Sequence, residues 1–198
     1  MNNITDELAK LHELTGAEFS RQVERIALRN EFYPLEGETD IYITGGETDD
    51  DFENQLNAAR KAVMHGYRVF VLPNPKGVRT ADFIFERKGI YRTYDLKTIQ
   101  GKASVMNRLQ DSIGQSNRVL LHITTNYNGT ALARSINKYF ERNVRAVEVL
   151  IFKGTKVLTI TNRTIKDKHF IGTFCRLYYK SIGYLVRIST VHLMPLPL

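Results

Sequence analysis

Residues 82–99 constrain the fold more than any other stretch of the chain. Two short runs of strand-forming residues are joined there by the turn pair Lys88-Gly89, which predicts an antiparallel hairpin. Residues two apart in a strand point to the same face of a sheet, so Asp95 and Lys97 project together. The hairpin has about the length that brings Asp82 back beside them. The stretch therefore predicts two carboxylates and one ammonium group in a single patch.

This patch has a composition that suits phosphate chemistry. Aspartate is rare in strands, so two of them with a lysine need a physical reason. Hard divalent cations such as Mg²⁺ take oxygen ligands from one or two carboxylates and from a phosphate, and a lysine nearby can orient a water molecule or offset charge. The residues alone leave a second interpretation open, in which Asp95 and Lys97 form a surface ion pair worth about 0–1 kcal/mol.

The segments around the hairpin extend the pattern. An amphipathic helix is predicted over residues 51–66, an apolar strand follows at 67–73, and a further helix is predicted from Gly101 to Gln115. Together with Asp82 and the triplet Asp95-Leu96-Lys97, this order of elements resembles the PD-(D/E)xK nuclease superfamily.

Two segments narrow the resemblance. Arg79-Thr80-Ala81-Asp82-Phe83 and Tyr94-Asp95-Leu96-Lys97-Thr98-Ile99 look like the C-terminal tRNA-nuclease domain of CdiA-type contact-dependent growth inhibition toxins. The similarity covers roughly residues 49–160. It departs from the family pattern at Ala81, where a proline often precedes the first aspartate.

The resemblance implies a restriction-endonuclease-like core that cleaves phosphodiester bonds, with tRNA as the leading substrate. It implies that Asp82 and Asp95 hold Mg²⁺ or Mn²⁺, with Glu53 as a helping third carboxylate. Lys97 would position the nucleophile or stabilise the pentavalent phosphate, and Gln115 would orient the water or the substrate. A toxin of this kind also implies a cognate immunity protein that binds over the site.

Other interpretations of the same residues stay open. Glu53 also suits the start of a helix, where an acid stabilises the helix dipole by up to about 1 kcal/mol. Gln115 also suits the polar end of a helix. Two further functions remain: a DNA endonuclease of restriction, repair or phage type on the same scaffold, and a nucleic-acid-binding module without catalytic activity.

Basic side chains near the predicted site are candidates for contacts with nucleic acid. Lys76 and Arg79 flank the approach to the first aspartate, while Lys102 and Arg108 belong to the helix that follows the hairpin. Farther along, residues 131–143 are predicted to form a helix with a basic face. Residues of this type bind phosphates, but they are also common as simply exposed side chains.

Composition sets limits on the partners and the location. The formal net charge of +7 and the pI of about 9.5 favour a polyanionic partner, either nucleic acid or an anionic membrane. The single cysteine, Cys175, excludes an internal disulfide framework and a cysteine-rich zinc site. No apolar run approaches the roughly 20 residues that span a membrane, and the polar N-terminus is unlike a signal peptide. The expected location is the cytoplasm, or a target cell's cytoplasm if the chain is a delivered toxin.

Three segments are expected along the chain. Residues 1–48 are predicted to form a helical extension and an acidic linker, and residues 49–162 to form the α/β nuclease core, a mixed β-sheet flanked by helices. Residues 163–198 are a basic and aromatic C-terminal extension. That composition can bind single-stranded RNA, but its helical spacing favours the packing of a terminal helix.

Overall fold

The structure is a computed structural model that describes residues 3–45, 51–74, 77–101, 104–180 and 186–187. The helices are α1 (Ile4–Lys10), α2 (Gly16–Ala27), α3 (Phe52–Met64), α4 (Val105–Asp111), α5 (Gly129–Arg142), α6 (Asn162–Ile165) and α7 (Phe170–Tyr179), with a 3-10 turn at Leu11–Glu13. The strands are β1 (Phe32–Pro34), β2 (Ile41–Thr44), β3 (Arg68–Val71), β4 (Phe83–Arg87), β5 (Ile90–Ile99), β6 (Arg118–Ile123), β7 (Glu148–Lys153), β8 (Lys156–Thr161) and the two-residue β9 (Val186–Arg187).

The strands lie side by side in their sequence order as one mixed sheet. Strands β3, β4 and β5 are antiparallel neighbours, whereas β5, β6 and β7 run parallel. The connections from β5 to β6 and from β6 to β7 contain α4 and α5, and the connection between the parallel strands β2 and β3 contains α3. Helices pack against both faces of the sheet, which confirms the predicted α/β class with a mixed sheet flanked by helices.

The predicted hairpin is confirmed. Strands β4 and β5 pair with Phe83 opposite Tyr94, and Lys88 and Gly89 adopt φ angles of 57° and 73°. Two positive φ angles are the requirement of a type I′ turn, which matches the twist of the paired strands. Because β5 has 10 residues and β4 has 5, residues 95–99 extend beyond β4 and pair with β6 alone in the described structure.

Alternation along β5 distributes its side chains between two sides of the sheet. Tyr94 and Leu96 join the apolar cluster under α3. Ile99 joins the cluster under α4, α5 and α7. Asp95 and Lys97 share the face of Ile99 and therefore project toward α4 and α5.

The predicted acidic linker is wrong for residues 32–34 and 41–44, which form the antiparallel pair β1 and β2. Phe32 and Tyr42 pack on the ring of Phe70, with ring centroids 5.3 and 5.1 Å apart. The contacts that stabilise β1 and β2 come from a strand farther along the chain. The turn-forming residues around them therefore predicted a loop instead of strands. The N-terminal helices α1 and α2 pack on the same part of the sheet.

The helix predicted from Gly101 to Gln115 is shorter, at Val105–Asp111. Its start is capped by Ser104, whose hydroxyl accepts a hydrogen bond from the backbone N–H of Asn107 at 3.4 Å. Gly114 has a φ of 89° and belongs to the turn that follows. The terminal helix expected after residue 163 is confirmed as α7.

Helix α7 belongs to the core through its aromatic stripe. Phe170, Phe174 and Tyr178 are buried against α5 and the sheet. Packing of the aromatic residues is therefore confirmed for this helix. Among the described residues, no helix combines the length and the apolar character that crossing a membrane demands.

Candidate active site

The part of β5 that extends beyond β4 is where the two aspartates meet. Asp82 lies just before β4, and its backbone N–H donates to the carbonyl of Tyr94 at 3.0 Å. Its side-chain Oδ2 accepts a hydrogen bond from the backbone N–H of Leu96 at 2.6 Å. The carboxylate thus takes the place of a missing strand neighbour, and this bond fixes Asp82 beside the next residue of β5.

That residue, Asp95, is fully buried, with an exposed fraction of 0%. Its Oδ1 accepts a hydrogen bond from Nζ of Lys97 at 2.7 Å, and the Lys97 side chain is only 13% exposed. The second oxygen, Oδ2, has no hydrogen-bond partner among the described residues. With both carboxylates ionised, an unpartnered buried oxygen costs about 1–3 kcal/mol or more, a cost that a proton shared with Asp82 or a bound cation would offset.

The two carboxylates perturb each other. Burial raises the pKa of Asp95 to about 7, the charge of Lys97 opposes this rise, and the charge of Asp82 adds to it. Burial also raises the pKa of Asp82, against the opposing effects of the Leu96 N–H and Lys97. The pair is close enough to share a proton, as carboxylates do where two of them occupy one site.

A third acid near the pair comes from the start of α3. The charge of Asp51 is one of the causes that raise the pKa of Asp82. Its carboxylate also accepts a hydrogen bond from Nδ2 of Asn54 at 2.7 Å. Glu53, the acid that the sequence suggested, instead pairs with Arg60 at 3.1 Å and is 71% exposed. The structure therefore brings Asp51, and not Glu53, toward the aspartates.

A cleft of about 310 Å³ opens beside the exposed edge of β5. Its walls come from three elements: β5, the start of α3, and α4. The lining includes Lys97, Thr98, Asp51, Asn54, Arg108 and Asp111. The site therefore has a positive charge on each of two walls, from Lys97 and Arg108, next to the buried carboxylates.

The remaining predicted contacts are placed differently. The side chain of Gln115 donates to the carbonyl of Asp111 at 2.8 Å, in the turn after α4. Arg79 is exposed and donates to the carbonyl of Ile113 at 3.2 Å, in the same turn. Neither belongs to the cleft lining. Lys76 and Lys102 lie outside the described residues.

The residues fit a hard divalent cation through two carboxylates. Within the described part of the chain, no group of three or more His, Cys, Asp or Glu side chains is placed to hold a metal ion. Mg²⁺ and similar ions commonly use one or two protein carboxylates and complete their shell with water and phosphate. The unpartnered Oδ2 of Asp95 is an oxygen that could bind such an ion.

Fold and site together define an α/β protein with a buried Asp-Asp-Lys centre at the point where one strand of a mixed sheet extends beyond its neighbour. Comparison of the chain with protein-family models, with curated proteins and with solved structures gives no match.

Proposed function

We propose that the chain is a divalent-metal-dependent endonuclease, with tRNA as its leading substrate. One observation carries the proposal: β5 extends beyond β4 and holds Asp95 and Lys97 next to Asp82, beside a cleft. Two carboxylates in one buried site repel each other, and either a shared proton or a bound cation would compensate them. In a catalytic centre for phosphodiester hydrolysis, a bound divalent metal ion would compensate the charge of the two carboxylates.

Asp82 and Asp95 would hold Mg²⁺ or Mn²⁺, which stabilises negative charge on a phosphate when it is bound. The chain prepares both carboxylates for this role. The Leu96 N–H holds Asp82, and Lys97 holds Asp95. Groups that are already oriented need no rearrangement when charge develops during the reaction, which is the main source of electrostatic catalysis.

Lys97 and Arg108 would act on the phosphate from two walls of the cleft. Lys97 has three N–H donors and makes one hydrogen bond within the described structure, so it can also donate to a phosphate oxygen. Arg108 carries a planar guanidinium that can bind two phosphate oxygens at once. Both cations would stabilise the charge that grows on the phosphate as water attacks phosphorus and the bond to the leaving oxygen breaks.

The choice of tRNA rests on the resemblance of residues 79–83 and 94–99 to toxin tRNA nucleases. The same resemblance leads us to include an immunity protein among the proposed partners. Such a partner would bind over the cleft and exclude the substrate.

The test compares cleavage by the wild-type protein and by Lys97→Ala. Each is incubated with total tRNA and with plasmid DNA, in Mg²⁺, in Mn²⁺ or in EDTA. Lys10→Ala is the matched control, because Lys10 is an exposed lysine of α1. We expect cleavage of tRNA that needs the metal and that falls by about 100-fold or more in Lys97→Ala, with no change in Lys10→Ala.

Two outcomes would contradict this proposal. Metal-dependent cutting of DNA alone would replace the tRNA nuclease by a DNA endonuclease. Absence of cutting under every condition, with nucleic-acid binding retained, would make the chain a binding module.

A further inference from the structure

The positive charge of the chain is concentrated in one part of it. Residues 129–180 contain 11 Lys and Arg residues but only 3 Asp and Glu residues. Residues 1–128 contain 16 Lys and Arg residues and 18 Asp and Glu residues. The net charge of +7 therefore comes from the part of the chain that follows β6.

The two parts also differ in how their cations are paired. In the first part, Arg29 pairs with Glu7, Arg60 with Glu38, and Arg68 with an aspartate of the adjacent loop. In residues 129–180, no Lys or Arg forms an ion pair with any residue that the structure describes. Nine of these side chains are exposed: Arg134, Lys138, Arg142, Arg145, Arg163, Lys166, Lys168, Arg176 and Lys180.

Helix α5 carries a regular stripe of these cations. Arg134, Lys138 and Arg142 follow one another at four-residue spacing on its exposed face, about 6 Å apart along the axis. Like charges at this spacing weaken a helix. The opposite face supplies the core, through residues such as Leu132 and Ile136, so packing does not require the stripe. A polyanion would compensate its charge.

The stripe lies on the same side of the sheet as the candidate active site. Helix α5 packs between α4 and α7, and α4 carries Arg108 on the wall of the cleft. On the inner side of α5, Tyr139 is near enough to the site that the charge of Asp95 adds to the rise that burial causes in its pKa.

We propose that the basic surface formed by Arg134, Lys138 and Arg142 binds the phosphate backbone of the nucleic acid outside the cleft. The proposal rests on the nuclease function, because it assigns to this surface the part of the tRNA that extends away from the bond being cut. The occupant follows from charge: regularly spaced cations without carboxylate partners in the described structure match the repeating charge of a phosphate backbone. Contacts of this kind hold the substrate without reading its sequence.

The test measures tRNA binding rather than cleavage. The triple variant Arg134→Gln, Lys138→Gln and Arg142→Gln removes the stripe on α5. A matched triple variant, Lys10→Gln, Arg21→Gln and Arg25→Gln, removes three exposed cations from α1 and α2. Fluorescence anisotropy of labelled tRNA is recorded in EDTA over a range of salt concentrations, and circular dichroism verifies that each variant is folded.

We expect the α5 variant to bind tRNA about 100-fold more weakly at 0.1 M salt, and its salt dependence to lose about 2 to 3 units of slope, since each phosphate contact contributes about 0.7 to 0.9. The control should keep the wild-type affinity and slope. A charge-retaining variant, Arg134→Lys with Arg142→Lys, should also keep most of the affinity.

Equal affinities of the α5 variant and the control would overturn the proposal. So would a loss of binding to anionic lipid vesicles while tRNA binding is unchanged, because the surface would then face a membrane. The result separates this proposal from the nuclease function. If the protein cuts nothing but its tRNA binding depends on α5, the binding surface is supported and the nuclease function is contradicted. If the protein is a metal-dependent nuclease and the α5 variant binds tRNA as well as wild type does, the nuclease function is supported and the binding surface is contradicted.

Discussion

Two adjacent residues of β5, Tyr94 and Asp95, place polar groups inside the protein on opposite faces of the sheet. The hydroxyl of Tyr94 donates to Oε1 of Glu148 at 2.7 Å, and Oε2 of that carboxylate lies 3.9 Å from Nε of Arg118. Asp95 bonds to Lys97 through one oxygen, while its other oxygen has no partner among the described residues.

The two clusters differ in their charges: the first has one carboxylate beside Arg118, whereas the second has two carboxylates beside Lys97. Each leaves one buried polar atom without a hydrogen bond among the described residues, Nε of Arg118 in the first and Oδ2 of Asp95 in the second. Tyr94, Arg118 and Glu148 come from three neighbouring strands, so their contacts join β5, β6 and β7 across the sheet. Burial raises the pKa of Tyr94, and the charge of Glu148 raises it further, which keeps the hydroxyl a donor. Asp95 lies in the part of β5 that extends beyond β4. It is buried behind the cleft, whose lining includes its hydrogen-bond partner Lys97.

Asp95→Asn should break the second cluster and give the largest effect. We expect cleavage of tRNA to fall by about 10²–10³-fold or more, because the amide cannot provide the negative charge of the carboxylate. The free energy of unfolding should change by less than about 1 kcal/mol, since the lost contact to Lys97 is offset by the removal of a buried charge. Initial rates and urea unfolding measure both quantities. A variant that cuts at the wild-type rate would contradict the assignment.

His122 of β6 tests whether a buried titratable group away from the cleft acts on stability alone. Burial lowers the pKa of its imidazole from 6.5 to about 4. The unfolded chain therefore binds a proton that the folded chain does not, and stability is lost as the pH falls from about 6.5 to about 4. The loss amounts to about 3 kcal/mol.

Replacing His122 by leucine should remove this part of the pH dependence. Unfolding in urea at several pH values, for wild type and His122→Leu, gives the difference directly. The two curves should run parallel above pH 7 and converge or cross on acidification. A constant separation from pH 7 to pH 4 would show that the imidazole titrates alike in both states.

Tyr94→Phe should give the opposite result to Asp95→Asn, although the two residues are adjacent. Removal of the hydroxyl leaves the buried Glu148 carboxylate without its donor, which should cost about 1–3 kcal/mol of unfolding free energy. Cleavage should be unchanged under conditions where the variant is folded. Tyr33→Phe, at a tyrosine 47% exposed on β1, is the control that should alter neither property. Loss of cleavage in folded Tyr94→Phe would remove the distinction between the clusters.

Asp51 and Glu53 give the smallest and most selective comparison. Asp51→Asn should slow cleavage about fivefold, since it removes a nearby charge worth about 1 kcal/mol at the site. Glu53→Gln should cut at the wild-type rate, because the Glu53 side chain pairs with Arg60. Rates measured at a fixed Mg²⁺ concentration decide between them. Slower cleavage by Glu53→Gln than by Asp51→Asn would show that Glu53, and not Asp51, is the third carboxylate of the site.

Local periodicity accounts for the parts of the site that could be predicted from the sequence. The turn at Lys88-Gly89 sets the hairpin, and the two-residue repeat of a strand places Asp95 and Lys97 on one face. The juxtaposition with Asp82 follows from the length of the two strands. The hydrogen bond from the Leu96 N–H to the Asp82 carboxylate could not be predicted. It forms because β4 begins at Phe83, opposite Tyr94, so that β5 continues for five residues beyond this pair.

The parts that escaped prediction depend on contacts between distant segments. Strands β1 and β2 are short and surrounded by turn-forming residues, and Phe32 and Tyr42 pack on Phe70 of β3, which lies much farther along the chain. Asp51 and Glu53 are two residues apart at the start of a helix, so they point in different directions, and only the packing of α3 decides which one approaches the site. The side chain of Gln115 is held by the turn after α4, which the sequence suggested was still helix.

Binding of Mn²⁺ measured by electron paramagnetic resonance tests the central claim most directly, because it needs no substrate. Wild type, Tyr94→Phe and Asp95→Asn are titrated with Mn²⁺ under identical conditions. We expect one bound ion in wild type and in Tyr94→Phe, and none in Asp95→Asn at the same concentrations. Equal binding by all three proteins would contradict the claim that the Asp82 and Asp95 pair is a metal-dependent catalytic centre.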